Sequence, residues 1–202
     1  AFGLQKDDVM DLTIPDNGFV RGEKLENFIN ATVRQTPLER LRIPFLAVAT
    51  NIQTGEETVF ATGNTGKAVR ASCSIPGIFQ PVRIGDKTYV DGGVVSPVPV
   101  DAARKLGADV VIAVDISAGV GGSLPQGILD TILQSIDIMY AKISAGQLRG
   151  ADVVIVPKVN TIGSSDFEKR HEAILEGEKA ATQAMPKIQK ILAKLRQEGR
   201  LP

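Results

Sequence analysis

Short apolar runs alternate with stretches of helical periodicity along almost the whole chain, and this alternation restricts the fold more than any other feature. Leu25, Phe28, Ile29 and Val33 recur at helical spacing and predict a helix over 22–35. Phe45 to Ala49, opened by Pro44, reads as a buried strand and Thr58 to Ala61 as a second, with Gln53-Thr54-Gly55-Glu56 as a turn between them. Val82 to Val90 carries Gly85-Asp86 between two alternating runs, which is a hairpin signal. Pro97 and Pro99 precede Val100 to Leu106, and Gly107 follows, so a short helix is expected there. Asp109 to Asp115 and Val153 to Pro157 read as fully buried parallel strands. A glycine-rich loop, Gly119 to Pro125, lies between them. After it Leu129, Ile132, Leu133, Ile136, Met139, Tyr140 and Ile143 make a wide helical stripe that ends at Gly146. Ser165-Asp166-Phe167-Glu168 matches a capping box before a last helical region, which Pro186 is expected to kink or restart. Repeated strand–helix order of this kind predicts an α/β fold with a mainly parallel sheet flanked by helices. Residues 1–202 show no linker and no internal repeat, so a single domain is expected.

Composition excludes several classes. Hydrophobic residues make up 43% and charged residues 23%, which rules out a disordered tail or a fibre. Lys plus Arg and Asp plus Glu are 23 each, so a nucleic-acid partner held by phosphate neutralisation is not expected. Cys73 is the only cysteine, which excludes an intrachain disulfide and a cysteine-based zinc site. Val110 to Val114 and Val153 to Val156 fall far short of the roughly 20 residues that span a bilayer. The opening residues, Ala1 to Asp8, have neither the basic nor the apolar region of a signal peptide, and they lack an initiator Met. The chain is therefore expected to be a piece of something longer. A cytoplasmic or membrane-peripheral location is favoured, with a secreted form left open.

Few residues present themselves for chemistry. His171, the sole histidine, sits among Glu168, Lys169, Arg170 and Glu172 and reads as a solvated helix residue. Gly63-Asn64-Thr65-Gly66-Lys67 approaches a phosphate loop but has Ala61 and Ala68 at two defining positions. With no dinucleotide fingerprint either, no cofactor is expected. Asn30-Ala31-Thr32 is formally a glycosylation sequon, but it falls inside a predicted helix. The informative residues are Asp91, Gly92 and Gly93. Asp91 closes a strand, and carboxyl ends of strands are where sites form in α/β folds. Two glycines after it permit a tight turn and close approach of another segment. Alone, the triplet reads more readily as a capped structural turn than as a functional site.

It does not stand alone. Ala71-Ser72-Cys73-Ser74-Ile75-Pro76-Gly77-Ile78-Phe79 lies upstream and Ala102 to Asp115 downstream, and this combination resembles the patatin-like phospholipase family. Val48-Ala49-Thr50-Asn51-Ile52-Gln53-Thr54-Gly55 is similar to a family segment, with Asn51 where an Asp is usual. Ile162 to Phe167 and Gly177 to Ala181 are similar to bacterial members. The resemblance implies a patatin-like fold and serine hydrolysis of lipid acyl esters by a Ser-Asp dyad without histidine. It maps the dyad's aspartate onto Asp91 and the motif glycines onto Gly92 and Gly93. A membrane surface is an implied partner.

The family's nucleophile belongs to a G-x-S-x-G elbow. No serine of this chain has glycine at both flanking positions: Ser123 has only the first and Ser144 only the last. Three readings follow. The chain is the later part of a patatin-like lipase whose first strand, oxyanion loop and elbow precede Ala1. Alternatively it is a non-catalytic lipid-binding or regulatory module, or an unrelated nucleotide-binding domain whose Asp-Gly-Gly is a turn. On the first reading the chain supplies the Asp, is inactive alone, and associates with the missing N-terminal segment across an uncovered sheet edge or apolar groove.

Overall fold

The computed structural model describes residues 6–13, 18–117, 124–162 and 167–201. In chain order the elements are α1 (Lys6–Val9), α2 (Glu23–Thr32), β1 (Ala47–Asn51), β2 (Glu57–Phe60), α3 (Thr65–Ser72), β3 (Val82–Ile84), β4 (Lys87–Asp91), α4 (Val100–Lys105), β5 (Ile112–Val114), α5 (Ile128–Gln147), β6 (Val153–Ile155) and α6 (Arg170–Gln197). The chain divides into two compact units, residues 1–97 with 125–140 and residues 98–124 with 141–202. Strands and helices are mixed in both, as the α/β expectation requires.

The first unit holds a four-stranded sheet in the order β2-β1-β4-β3, every pair antiparallel. Among the described strands parallel pairing, expected to dominate, joins only β5 and β6 in the second unit, and the first unit adds a single isolated parallel bridge between Val20 and Phe79. For two of the three pairs the reason is local: the turns at 52–56 and 85–86 are too short for a crossover, so they fold β2 back on β1 and β4 back on β3. Gly85 takes a φ of 65° as the first of two turn residues, the position that a type II′ turn reserves for glycine. α3 packs on β1, β3 and β4 and buries Ala71 with Ala49, Val82 and Tyr89. Phe60 meets the Tyr89 ring edge-on at 5.1 Å.

α2 and α3 approach closely at Gly66, where a Cβ would lie 2.3 Å from the Glu26 carbonyl oxygen. Asn30 is buried at that crossing. Its Oδ1 accepts from the Gly66 N–H at 2.9 Å, and its Nδ2 donates to Asn64 Oδ1 at 3.1 Å. The sequon at Asn30 is thus a packing feature. Asn64 also accepts from the Lys67 N–H and caps α3, which gives the near-phosphate-loop residues a structural role. The helix expected over 22–35 closes at Thr32, and Arg34 and Gln35 follow with positive φ. Its first turn is satisfied from a distance: Asp11 accepts from the N–H groups of Gly22, Glu23 and Lys24.

In the second unit β5 and β6 pair in parallel with Ile112 beside Val153 and Val114 beside Ile155. Val98 and Val100 pack with Val111 and Ala113, while α6 packs against β6. The two strands are not fully buried as expected. Ile112 and Val114 are 45% and 53% exposed on either side of buried Ala113, and Val154 is 37% exposed between buried Val153 and Ile155. Each strand is covered on one face only. Arg104 ties the end of α4 to the loops around it, donating to the Ala108 and Asp109 carbonyls and pairing with Asp152 at 2.5 Å. α6 runs unbroken through Pro186, so the last helix does not restart there; the lost N–H is a local defect in a 28-residue helix. Ser165 and Asp166 of the expected capping box, and most of the glycine-rich loop, lie outside the described residues.

Candidate active site

Asp91 is the last residue of β4 and sits opposite Ala49 in the register with β1. Its backbone is held from two sides. The Asp91 N–H donates to the Ser74 carbonyl at 2.9 Å, and the Thr50 hydroxyl donates to the Asp91 carbonyl at 2.9 Å. Ser74 is fully buried and its hydroxyl donates to the Arg70 carbonyl, so the segment after α3 is itself anchored. The A-S-x-x-x-P stretch and the Asp-Gly-Gly turn, far apart in sequence, are thereby laid side by side.

A single 3-10 turn, Gly92–Val94, follows Asp91. Gly92 passes directly over β1: a Cβ there would lie 2.3 Å from the Val48 carbonyl oxygen and 2.8 Å from its carbon. No side chain fits that approach. Gly93 is needed for another reason, because a Cβ there would lie 2.6 Å from the Tyr140 ring and 3.0 Å from Asp91 Oδ1. Its N–H donates to Asp91 Oδ1 at 2.6 Å and fixes the carboxylate. The three residues singled out in the sequence are therefore brought together in one turn.

Burial pushes the Asp91 carboxyl up to about 6, against the opposing pull of the Gly93 N–H. At neutral pH the group is largely ionised yet far more basic than a free aspartate, which suits a general base. Two neighbours share its environment. Burial, with the Asp91 charge adding to it, raises the Cys73 thiol to about 11, so this cysteine is a protonated, unreactive thiol. Tyr140 of α5 is likewise raised, by burial and then by the charges of Asp91 and Asp137.

Sequence reasoning missed both. In the sequence Cys73 serves to exclude a disulfide and a cysteine-based zinc site, and its place beside Ser74 in the family-like block is the signal of its nearness to Asp91. Tyr140 was counted as one apolar member of the α5 stripe, and its hydroxyl was the signal. Asn51 is buried, and its Oδ1 accepts from the Gln53 N–H at 2.9 Å, so it shapes the β1–β2 turn. His171 is exposed on α6, as expected for a solvated residue. Among the described residues no group of three or more His, Cys, Asp or Glu could hold a metal, and no helix is long and apolar enough to cross a membrane.

The chain is similar to proteins of several organisms. An uncharacterized NTE family protein of Mycobacterium bovis is 28% identical over 90% of this chain and 36% of its own length. Patatin-like phospholipase domain-containing protein 7 of Mus musculus is 31% identical over 54% of this chain and 8% of its own. Lysophospholipase NTE1 of Pyricularia oryzae is 24% identical over 96% of this chain and 14% of its own. The chain thus spans little more than a third of the mycobacterial relative and less of the other two. The patatin-like phospholipase profile matches residues 2–104, a stretch that contains the α3–β4 pairing and the whole Asp91-Gly92-Gly93 turn, and the chain belongs to that family.

Proposed function

We propose that the chain is part of a serine acyl-ester hydrolase acting on phospholipids or lysophospholipids, and that Asp91 is its general base. The observation that carries this reading is the Asp91 carboxylate itself: largely buried, fixed by one N–H, and raised to about 6. A serine hydroxyl brought within hydrogen-bond reach, about 2.6–3.2 Å, would lose its proton to this carboxylate as it attacks the ester carbonyl. The same proton would then pass to the departing alcohol. No serine of this chain occupies a G-x-S-x-G elbow, so the nucleophile comes from residues outside these 202. The length of the relatives supports a larger protein around this chain.

The lipid class follows from the family and from the names of its relatives. It is also supported by α5, where Leu129, Ile132 and Met139 are 40–53% exposed while Ile136 is buried. Leu129 and Ile132 lie against Gly77, in the loop that follows Ser74. An apolar surface of this kind suits an acyl chain or the face of a bilayer.

The test compares the 202-residue chain with the same chain extended through its natural upstream residues. The short chain is expected to show no labelling by a fluorophosphonate probe and no turnover of a chromogenic ester. The extended protein is expected to label at one serine and to lose most turnover on Asp91→Asn. Labelling and Asp91-dependent turnover in the short chain, or near-normal turnover of the extended Asp91→Asn variant, would overturn the reading.

A further inference from the structure

The Tyr140 hydroxyl is buried and has no hydrogen-bond partner among the described residues. Such a group is costly to leave unpaired, and a native structure that keeps one points to a partner that arrives later. Its position is specific. The Tyr140 ring and Asp91 Oδ1 both crowd the single point from which a side chain at residue 93 would grow, so glycine there is what lets the phenol approach the carboxylate. The charged groups facing it are Asp91 from β4 and Asp137 from its own helix. Burial, and then these two charges, keep the phenol protonated, a standing hydrogen-bond donor.

We propose that Tyr140 donates a hydrogen bond to the leaving-group oxygen of the acyl ester, next to Asp91; this rests on Asp91 being the base. When the tetrahedral intermediate collapses, the bond between the acyl carbon and the alkoxy oxygen breaks and its electron pair goes to that oxygen. The proton that Asp91 took from the nucleophile passes to the same oxygen, which must therefore lie within reach of the Asp91 carboxyl. A donor beside that carboxyl meets the oxygen as its charge grows. Tyr140 keeps its own proton throughout, so the proton count closes on Asp91 alone.

A donor at the leaving oxygen matters most where the departing alkoxide is basic. In the upstream-extended protein, Tyr140→Phe is expected to lower kcat/KM for ethyl butyrate about tenfold or more, and for 4-nitrophenyl butyrate by less than about threefold. An equal loss on both esters would mean that the residue only packs, and no loss on the ethyl ester would mean that the hydroxyl touches nothing; either overturns the proposal. Asp91→Asn, run alongside, keeps the two claims apart: its full activity would remove the base, whereas its inactivity with an ester-independent Tyr140→Phe removes only the donor. A second measurement needs no nucleophile. The chain has two tyrosines, Tyr89 and Tyr140, so labelling the tyrosine ring carbon that bears the hydroxyl gives two resonances. The Tyr140 resonance is expected to move as the Asp91 carboxyl titrates near pH 6, and to lose that step in Asp91→Asn. A Tyr140 resonance unaffected by Asp91→Asn would overturn the placement.

Discussion

Asp91→Asn tests whether the site was built at the expense of the fold. The Asp91 carboxyl rises from 3.8 to about 6 on folding. Between those values the folded chain holds a proton that the unfolded chain has released, so stability falls as pH rises through the window, by up to about 1.4 kcal/mol per pH unit. The carboxyl contribution is fully present below the unfolded value and gone above the folded one. Above about pH 7 the ionised carboxylate should therefore weaken the chain by about 2–3 kcal/mol relative to its protonated form. Asparagine keeps the size and the acceptor for Gly93 and removes the charge. Urea denaturation of the two proteins from pH 4 to 8 reads the difference directly, because every other carboxylate is common to both and cancels. The variant is expected to gain about 2–3 kcal/mol on wild type between those limits, with most of the gain between pH 4 and 6. Any misfit of the asparagine amide adds a constant and leaves that slope alone. A difference that is flat with pH would refute the reasoning.

The motif glycine and the neighbouring thiol give two further tests. Gly92→Ala sets a methyl 2.3 Å from a β1 carbonyl that is held in a central strand, and should destabilise by about 2–3 kcal/mol. Gly177→Ala, inside α6 with open space around it, should instead stabilise by about 0.5–1 kcal/mol; equal effects in chemical denaturation would contradict the contact. Alkylation of Cys73 by iodoacetamide should be slow at pH 8, since its thiol is raised to about 11, and should quicken in Asp91→Asn once the carboxylate charge is gone. A rate indifferent to that substitution would place the two groups apart.

What the sequence made legible was local chemistry. Gly85-Asp86 announced the β3–β4 hairpin, and it formed, because a two-residue turn is decided by the φ of its own glycine. The Asp91 turn was legible for a similar reason: two consecutive glycines after a strand residue admit few arrangements. The Asp11 cap on α2 was not, since the capping side chain comes from eleven residues before Gly22 and no adjacent residue hints at it. Tyr140 was hidden by its own class. Counted with Ile and Leu it completes an apolar stripe, and only the three-dimensional neighbour at Gly93 shows that its polar end is what matters.

The strands of the second unit show the limit most clearly and supply a last test. Val110 to Val114 and Val153 to Val156 are continuous apolar runs, and such a run carries no record of which side chains point inward. The register supplies it. Ala113 and Val154 share one face, Val114 and Ile155 the other. The first face is covered over β5, by Val98, Val100 and Val111, and stops short of Val154. On the second face Ile155 is buried along β6, where α6 packs, and Val114 is left open. Tolerance should therefore alternate along the strand and reverse between strands. Val153→Thr introduces a hydroxyl at a position that is 1% exposed and should lose about 1–3 kcal/mol. Val154→Thr and Val114→Thr place the same group in water and should fall within about 0.5 kcal/mol of wild type. Urea midpoints at unchanged m measure all three. A Val114→Thr loss as large as that of Val153→Thr would mean that β5 is covered on both faces, and the fully buried strand expected from the sequence would stand after all.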